Sequence, residues 1–253
     1  MYRLRTIYAY AGCLFLLLTY IPAMFRAKRL KKKGDPESLA QREELVRRLV
    51  KRWGILVLKM SKTEVTVSGL ENIPDVPCVL VGNHQGYFDI IALLGAMDHT
   101  RAFMGQILFK KIPLLSGWMQ NLDCVFVDRS NAKQSMTAIH ESEELLKSGK
   151  DIYVFPEGTR SKSNTIGEFK NGAFRMATKT GSPVVPFLID GTYKVLESNH
   201  MWIKPAHVKI TILPAIDTST LSKAEINGMT QHVRELIIAE QERQKSLKED
   251  EEQ

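Results

Sequence analysis

The sequence predicts an α/β fold with a mostly parallel central sheet flanked by helices, preceded by an N-terminal membrane-associated two-helix unit. After residue 60, short apolar segments alternate with amphipathic helical patterns. Before it lie a long uncharged run and a cluster of basic residues. The apolar fraction of 44% is that of an ordinary globular protein. We therefore divide the chain into membrane-anchoring helices at 1–60, a main domain at 61–247 and a charged tail at 248–253.

The uncharged run covers residues 7–25, which is 19 residues. As one helix it spans about 28 Å, close to the roughly 30 Å hydrocarbon thickness of a bilayer. A signal peptide or a buried core helix is the alternative, but the run is long for the first and has basic residues on both sides. We expect attachment to the cell membrane bilayer, either spanning it or lying in one leaflet.

Basic residues crowd positions 26–33, and only two precede the uncharged run. This excess predicts that the main domain lies on the cytoplasmic side if the run spans the membrane. Because no nucleic-acid-binding motif accompanies the cluster, we expect no nucleic-acid partner. A second amphipathic helix is predicted over residues 37–60, either docked on the main domain or lying on the membrane surface.

The elements of the main domain follow from the hydrophobic pattern. Strands are predicted at 63–67, 78–81, 124–127, 152–155, 184–189 and 208–213, and helices at 89–96, 132–147 and 171–179. Ser222 and Glu225 form a capping-box signal for a last helix that runs to about Lys245. Strands interleaved with helices favour a largely parallel sheet covered on both faces.

Several kinds of site are disfavoured. The three cysteines have no CxxC spacing, which favours reduced thiols over disulfides or a zinc site. The sequence contains neither a G-x-S-x-G elbow nor a P-loop, so a serine hydrolase or a nucleotide kinase is not indicated. No metal and no cofactor are expected, because five histidines lie outside any metal-ligand spacing: His99, His140, His200, His207 and His232.

The block at residues 83–89 places His84 five residues before Asp89. These side chains can meet only if His84 lies in a turn and Asp89 reaches back from the following helix. That arrangement suits a carboxylate that orients a general base. Three further blocks lie at or near later strands: residues 126–129, 155–160 and 185–187. Because ligands bind beyond the carboxyl ends of parallel strands, these blocks are expected to converge on the first.

Taken together and in this order, the four blocks resemble the glycerolipid acyltransferase family, which includes bacterial 1-acyl-glycerol-3-phosphate acyltransferases. His84 to Asp89 is similar to the first motif of the family, an HX4D pattern, and residues 126–129 to the end of the second. Residues 155–160 match the third motif, and Val185-Pro186 resembles the fourth. The resemblance covers residues 65–213, so 61–247 is identified as an acyltransferase domain.

The resemblance implies transfer of a fatty acyl group from acyl-CoA or acyl carrier protein to a lysophospholipid acceptor. The expected acceptor is the sn-2 hydroxyl of 1-acyl-glycerol 3-phosphate, and the product is phosphatidate. His84 would take the hydroxyl proton and Asp89 would orient the imidazole. Arg129 and Arg160 would bind the phosphate of the acceptor. Glu157 would brace the turn that Gly158 permits, and Thr159 completes this substrate-binding block.

The chain departs from the family in the second motif. The family carries a phosphate-binding lysine in that motif. The corresponding residues here are 105–108, which read Gly-Gln-Ile-Leu and include no lysine. Lys110 or Lys111 is a possible substitute, and a different acceptor head group is the alternative. Two other hypotheses stay open: a metal-dependent phosphoesterase that uses His84 and Asp89 as ligands, and a non-catalytic lipid-binding module.

Overall fold

The computed structural model describes residues 2–98 and 101–251. His99 and the last two residues of the predicted tail lie outside them. The described chain forms a seven-stranded sheet in the order β1-β7-β6-β2-β5-β3-β4. Every neighbouring pair is parallel except β6 and β7, so the predicted α/β fold is confirmed. The strands are β1 (Thr63–Ser68), β2 (Val79–Gly82), β3 (Ala102–Gln106), β4 (Val125–Val127), β5 (Ile152–Val154), β6 (Val184–Asp190) and β7 (Ala206–Ile212).

Helices cover both faces of this sheet, which is why its central strands are apolar on both sides. Along β2, Val79 and Val81 pack into the core cluster on one face, and Leu80 packs into the cluster on the other. The helices are α1 (Tyr2–Thr19), α2 (Ile21–Lys33), α3 (Pro36–Ser61), α4 (Phe88–Ala96), α5 (Pro113–Asn121), α6 (Ala132–Lys147), α7 (Gly172–Thr180) and α8 (Lys223–Glu251). Side chains of α6, α7 and α8 fill the first cluster, and α4 contributes to the second.

The uncharged N-terminal run is not the single helix that the sequence predicts. It breaks at Tyr20 into α1 and α2, which are bent by 44°. Pro22 explains the break, because it has no N–H to donate and its ring clashes with the carbonyl of the preceding helical turn. Within the described residues no single helix has both the length and the composition of a membrane span. In that part of the chain, the bent pair of α1 and α2 is the one combination that reaches the length and the composition of a span.

The third helix attaches the N-terminal helices to the sheet. On α3, Val46 and Val50 pack with Met24 of α2 and Trp118 of α5 in one apolar cluster. Asp123, just before β4, accepts hydrogen bonds from Arg42 of α3, from Lys31 of α2 and from Lys150. A single carboxylate therefore joins two N-terminal helices to the edge of the sheet.

Other differences from the predicted elements are local. The hydrophobic pattern predicts neither β3, whose segment Ala-Phe-Met-Gly-Gln lacks alternation of apolar and polar residues, nor α5. The last helix begins at Lys223, directly after Ser222, and Glu225 in its first turn completes the predicted capping box. It continues past Lys245 to Glu251, so the predicted end was too early.

Candidate active site

The loop after β2 is held in place by hydrogen bonds that continue the sheet beyond its last paired residue. The amide of Asn83 donates to the carbonyl of Ile189 at 2.9 Å, and its side-chain oxygen accepts from the N–H of Ile189 at 2.8 Å. This side chain replaces a strand backbone and ties the loop to β6. His84 therefore begins its loop at a defined position on the carboxyl edge of the sheet.

His84 and Asp89 meet as the spacing predicts. His84 lies in the loop, Asp89 lies in the first turn of α4, and Nδ1 of the imidazole is 2.5 Å from Oδ2 of the carboxylate. Asp89 is completely buried, whereas the His84 side chain is 19% exposed. Because Asp89 engages Nδ1, the other ring nitrogen, Nε2, is the one that can accept a proton. The ring stacks on Phe155, with centroids 4.2 Å apart.

Both oxygens of Asp89 are occupied. Oδ2 also accepts the N–H of Gly86 at 2.9 Å, and Oδ1 accepts the hydroxyl of the fully buried Thr192. The side chain of Gln85 contacts the same segment as Asp89 does, because its oxygen accepts the N–H of Gly191, the residue before Thr192, at 2.9 Å. Hydrogen bonds hold both oxygens of the Asp89 carboxylate. Asp89 can therefore keep the His84 imidazole in one orientation and one tautomer.

The block at 155–160 lies beside the first block. Oε1 of Glu157 accepts the N–H of His84 at 2.7 Å, and Oε2 accepts the N–H of Gly167 at 3.0 Å. The N–H of Ser161 donates to the carbonyl of His84 at 2.8 Å. Burial raises the pKa of Glu157, and these two N–H donors oppose the rise. Glu157 therefore braces both loops through its carboxylate, as the sequence analysis expected.

Arg160 has a carboxylate partner that the sequence analysis did not identify. Its Nη1 is 3.2 Å from Oε1 of Glu197, whose side chain is 2% exposed. Its guanidinium carbon lies 3.6 Å from the centroid of the Tyr87 ring. The same Glu197 oxygen accepts the N–H of Tyr87 at 2.8 Å. A Cβ on Gly86 would lie 2.5 Å from the other Glu197 oxygen, so only glycine permits this close approach.

Arg129 follows β4 and reaches the turn at Gly158. A Cβ built on Gly158 would lie 3.2 Å from Nη1 of Arg129. The φ angle of Gly158 is +76°, a conformation that side chains other than glycine rarely adopt. The structure thus brings together all the predicted residues except Lys110 around the loops at 84–89 and 157–160. Thr159 is exposed on the second of these loops.

Lys110 lies elsewhere. Its Nζ is 5.1 Å from the ring centroid of Phe126, and it lines a cavity of about 800 Å³ with Lys28, Lys31 and Lys32 of α2. None of the other predicted site residues lines this cavity. Within the described residues, no group of three or more His, Cys, Asp or Glu side chains is arranged to hold a metal ion.

Three contributors escaped the sequence analysis: Thr192, Glu197 and Gln85. Thr192 and Glu197 follow the apolar strand β6, and polar residues after a buried parallel strand are the signal that points to them. Asp89 and Tyr87 lie 103 and 110 residues earlier than their partners, and Arg160 lies 37 residues before Glu197, which is why no local pattern pairs them.

Comparison with known proteins places these residues in a family. The family model described as Acyltransferase matches residues 64–190. A probable 1-acyl-sn-glycerol-3-phosphate acyltransferase of Mycoplasma genitalium is 31% identical over 88% of this chain and 86% of its own length. The crystal structure of the 1-acyl-sn-glycerophosphate acyltransferase PlsC from Thermotoga maritima is similar with a TM-score of 0.78. It is 30% identical, and the match covers 97% of this chain and 98% of that one.

Some relatives are longer than the matched region. The chloroplastic 1-acyl-sn-glycerol-3-phosphate acyltransferase BAT2 of Brassica napus is 38% identical over 58% of this chain, but the match spans only 43% of that protein. The chain therefore corresponds to less than half the length of this plant relative.

Proposed function

Because this chain belongs to the acyltransferase family, we propose that it transfers a fatty acyl group from a thioester donor to the sn-2 hydroxyl of 1-acyl-glycerol 3-phosphate. The product is phosphatidate, and the donor is acyl-CoA or acyl carrier protein. The observation that carries the proposal is the His84–Asp89 pair, in which an imidazole that is 19% exposed is oriented by a fully buried carboxylate. The names of the relatives support the choice of acceptor.

In the proposed reaction, Nε2 of His84 removes the proton of the acceptor hydroxyl as its oxygen attacks the thioester carbonyl. The tetrahedral intermediate collapses, the carbon–sulfur bond breaks, and the thiol leaves after taking up the proton. Asp89 stabilises the imidazolium that forms between these steps. A general base of this kind contributes about 10²–10⁴ to the rate.

Backbone N–H groups are the candidate donors to the developing oxyanion. Those of His84, Gly86 and Tyr87 already donate to Glu157, Asp89 and Glu197. The N–H of Gly158 is also used, since it donates to the carbonyl of Phe155. The oxyanion must therefore be stabilised by other donors, and we propose the N–H groups of residues 159–160.

Arg129 and Arg160 are the proposed ligands of the acceptor phosphate. Arginine suits this role because its planar guanidinium makes two charge-assisted bonds to phosphate oxygens. Arg160 is already oriented by Glu197 and Tyr87, so less rotamer entropy is lost when it binds. Glu157 and Gly158 shape the turn between the two arginines.

The N-terminal helices are proposed to bind the cell membrane with the catalytic domain on the cytoplasmic side. Large apolar side chains of α1 are exposed, and the basic residues at 26–33 follow it. The exposed side chains include Leu4, Ile7, Tyr8, Leu14, Phe15 and Leu18. Apolar side chains that enter the interface and cations that meet anionic lipids bind a bilayer together.

A second candidate acceptor is another lysophospholipid or glycerol phosphate. The observation that favours it is the missing lysine in the second motif, since Lys110 lines a separate cavity. The two candidates share one mechanism and differ only in the head group of the acceptor.

The test is an acyl-transfer assay with purified protein in detergent. Each lysophospholipid of a panel is offered with acyl-CoA and, separately, with acyl carrier protein. The proposal expects transfer to 1-acyl-glycerol 3-phosphate that persists when a chelator is added. Transfer only to other acceptors would select the second candidate, and loss of activity with the chelator would favour a metal-dependent reaction. No transfer with any acceptor or donor would favour a lipid-binding module.

A further inference from the structure

Two cations converge on the backbone of Gly158. A Cβ built there would lie 3.2 Å from Nη1 of Arg129 and also 3.2 Å from Nζ of Lys170. Any side chain at this position would fill the space between them. The positive φ of Gly158 and this space therefore both require glycine.

Lys170 is placed there by the backbone. Its N–H donates to the carbonyl of Pro156 at 3.0 Å, which fixes the residue against the 155–160 turn. Phe169, the preceding residue, packs against the core cluster under α6 and α7. The Lys170 ammonium group therefore reaches Gly158 from a backbone that is held at residues 169 and 170.

Neither cation is neutralised by a carboxylate in the part of the chain that the structure describes. The neighbouring Arg160, by contrast, pairs with Glu197. Both oxygens of the adjacent Glu157 accept backbone N–H groups instead. Two like charges so close repel each other, and an anion between them relieves the repulsion.

We propose that Lys170 and Arg129 form a two-cation clamp across Gly158 that binds the phosphate of the acceptor. Lys170 supplies the ammonium group that the second motif lacks. The clamp lies one residue from Glu157, whose Oε1 holds the backbone of His84, so a phosphate bound there lies beside the general base. Lysine contributes a compact charge and arginine contributes the planar fork.

This inference rests on the proposed function, because it assigns a residue to the acceptor of that reaction. The kinetic test compares Lys170→Ala, Lys170→Arg and the control Lys147→Ala. Lys147 is an exposed lysine at the opposite end of α6 from Arg129, where it pairs with Glu144.

We expect Lys170→Ala to raise KM for 1-acyl-glycerol 3-phosphate by about 10- to 100-fold, since a charged hydrogen bond is lost. KM for the acyl donor should stay unchanged, Lys170→Arg should restore most of the affinity, and Lys147→Ala should have no effect. An unchanged acceptor KM in an active Lys170→Ala protein would overturn the clamp and leave the proposed function intact.

A binding measurement without turnover tests the clamp separately from the proposed acyl-transfer reaction. Titration of glycerol 3-phosphate into the detergent-solubilised protein should show a dissociation constant at least tenfold weaker in Lys170→Ala and in Arg129→Ala than in wild type or Lys147→Ala. Such binding in a protein that transfers no acyl group would contradict the proposed function but support the clamp. Equal binding by all four proteins would refute the clamp.

Discussion

The buried hydroxyl of Thr192 donates a hydrogen bond to Oδ1 of Asp89, the carboxylate oxygen that the imidazole does not use. Oδ2 in turn accepts from His84 and from the N–H of Gly86, so hydrogen bonds to both oxygens hold this buried carboxylate in one orientation. Thr192 is thus a positioning residue, which acts on the imidazole through Asp89.

Replacement of Thr192 by valine should lower kcat by about 10- to 100-fold, because an unsatisfied buried acceptor costs about 1–3 kcal/mol. Both KM values should stay near those of wild type. Thr192→Ser keeps the hydroxyl and should retain most of the activity. Steady-state kinetics measures kcat and both KM values, and thermal unfolding checks that each variant is folded. Equal impairment of the valine and serine variants would mean that packing around residue 192, rather than the hydrogen bond to Asp89, causes the loss of activity.

Removal of the imidazole in His84→Ala should lower kcat by about 10²–10⁴, while the protein stays folded and bound to membranes. His140→Ala is the matched control, because that side chain is 70% exposed on α6. Initial rates with saturating donor and acceptor are the measurement. Near-normal turnover in His84→Ala would rule out the general-base role.

Truncation of Arg160 to alanine should raise KM for the phosphorylated acceptor by about 10- to 100-fold, the value of a charged hydrogen bond. Arg160→Lys should restore only part of the affinity for the acceptor. Lysine has no planar group that could stack on Tyr87 and pair with Glu197 at the same time. KM values for donor and acceptor are measured separately. A change confined to the donor would show that Arg160 does not bind the phosphate.

The ion cluster at Asp123 predicts a pH-dependent stability. Burial raises the pKa of Asp123, but hydrogen bonds from Lys150, Lys31 and Arg42 outweigh it and lower the pKa from 3.8 to about 2. The charged form is therefore favoured in the folded state. Its stabilisation, about 2 kcal/mol, is complete above the unfolded pKa of 3.8 and is lost as the pH falls towards 2.

Asp123→Asn should thus unfold with a free energy about 2–3 kcal/mol lower than wild type at pH 7, since it leaves the buried Arg42 without its carboxylate. The difference between the two proteins should narrow between pH 4 and pH 2. Denaturant unfolding in detergent across this range measures it. A difference that is constant with pH would mean that the charge of Asp123 is not what stabilises the fold.

The exposed apolar face of α1 is predicted to bind the bilayer. Leu14→Glu combined with Phe15→Glu places two charges on a surface that contacts no core, so the protein should move from the membrane fraction to the supernatant. Leu70→Glu, on an exposed short helix after β1, is the control and should leave membrane binding unchanged. Sedimentation with anionic vesicles is the measurement. Full pelleting of the double variant would assign membrane binding to another surface.

Deleting α1 and α2 is a poorer test of the same idea. Met24 and Ala27 of α2 are buried against Val46 and Val50 of α3, and removing them would expose apolar surface on the domain itself. Apolar surface exposed in this way promotes aggregation. A deletion would therefore change solubility as well as membrane attachment.

The sequence alone predicts those features that depend on residues close to one another in the chain. The alternation of strands and helices predicts the sheet, because burial on both faces imposes apolar runs on β2, β5 and β6. The spacing of His84 and Asp89 allows one arrangement, a loop followed by a helix, and the structure confirms it. The capping box before α8 is likewise a local hydrogen-bond pattern that can be read from Ser222 and Glu225.

Contacts between distant segments needed the tertiary structure. Thr192 approaches Asp89, and Glu197 approaches Arg160 and Tyr87, only because β6 lies beside β2 in the sheet. Lys170 and Arg129 meet only because the ends of two different strands converge at Gly158. Such pairs leave no periodic signal in the chain, since strand order rather than sequence separation sets their distance. The sequence thus determined most of the elements and the reactive pair, and the order of the strands decided which side chains surround that pair.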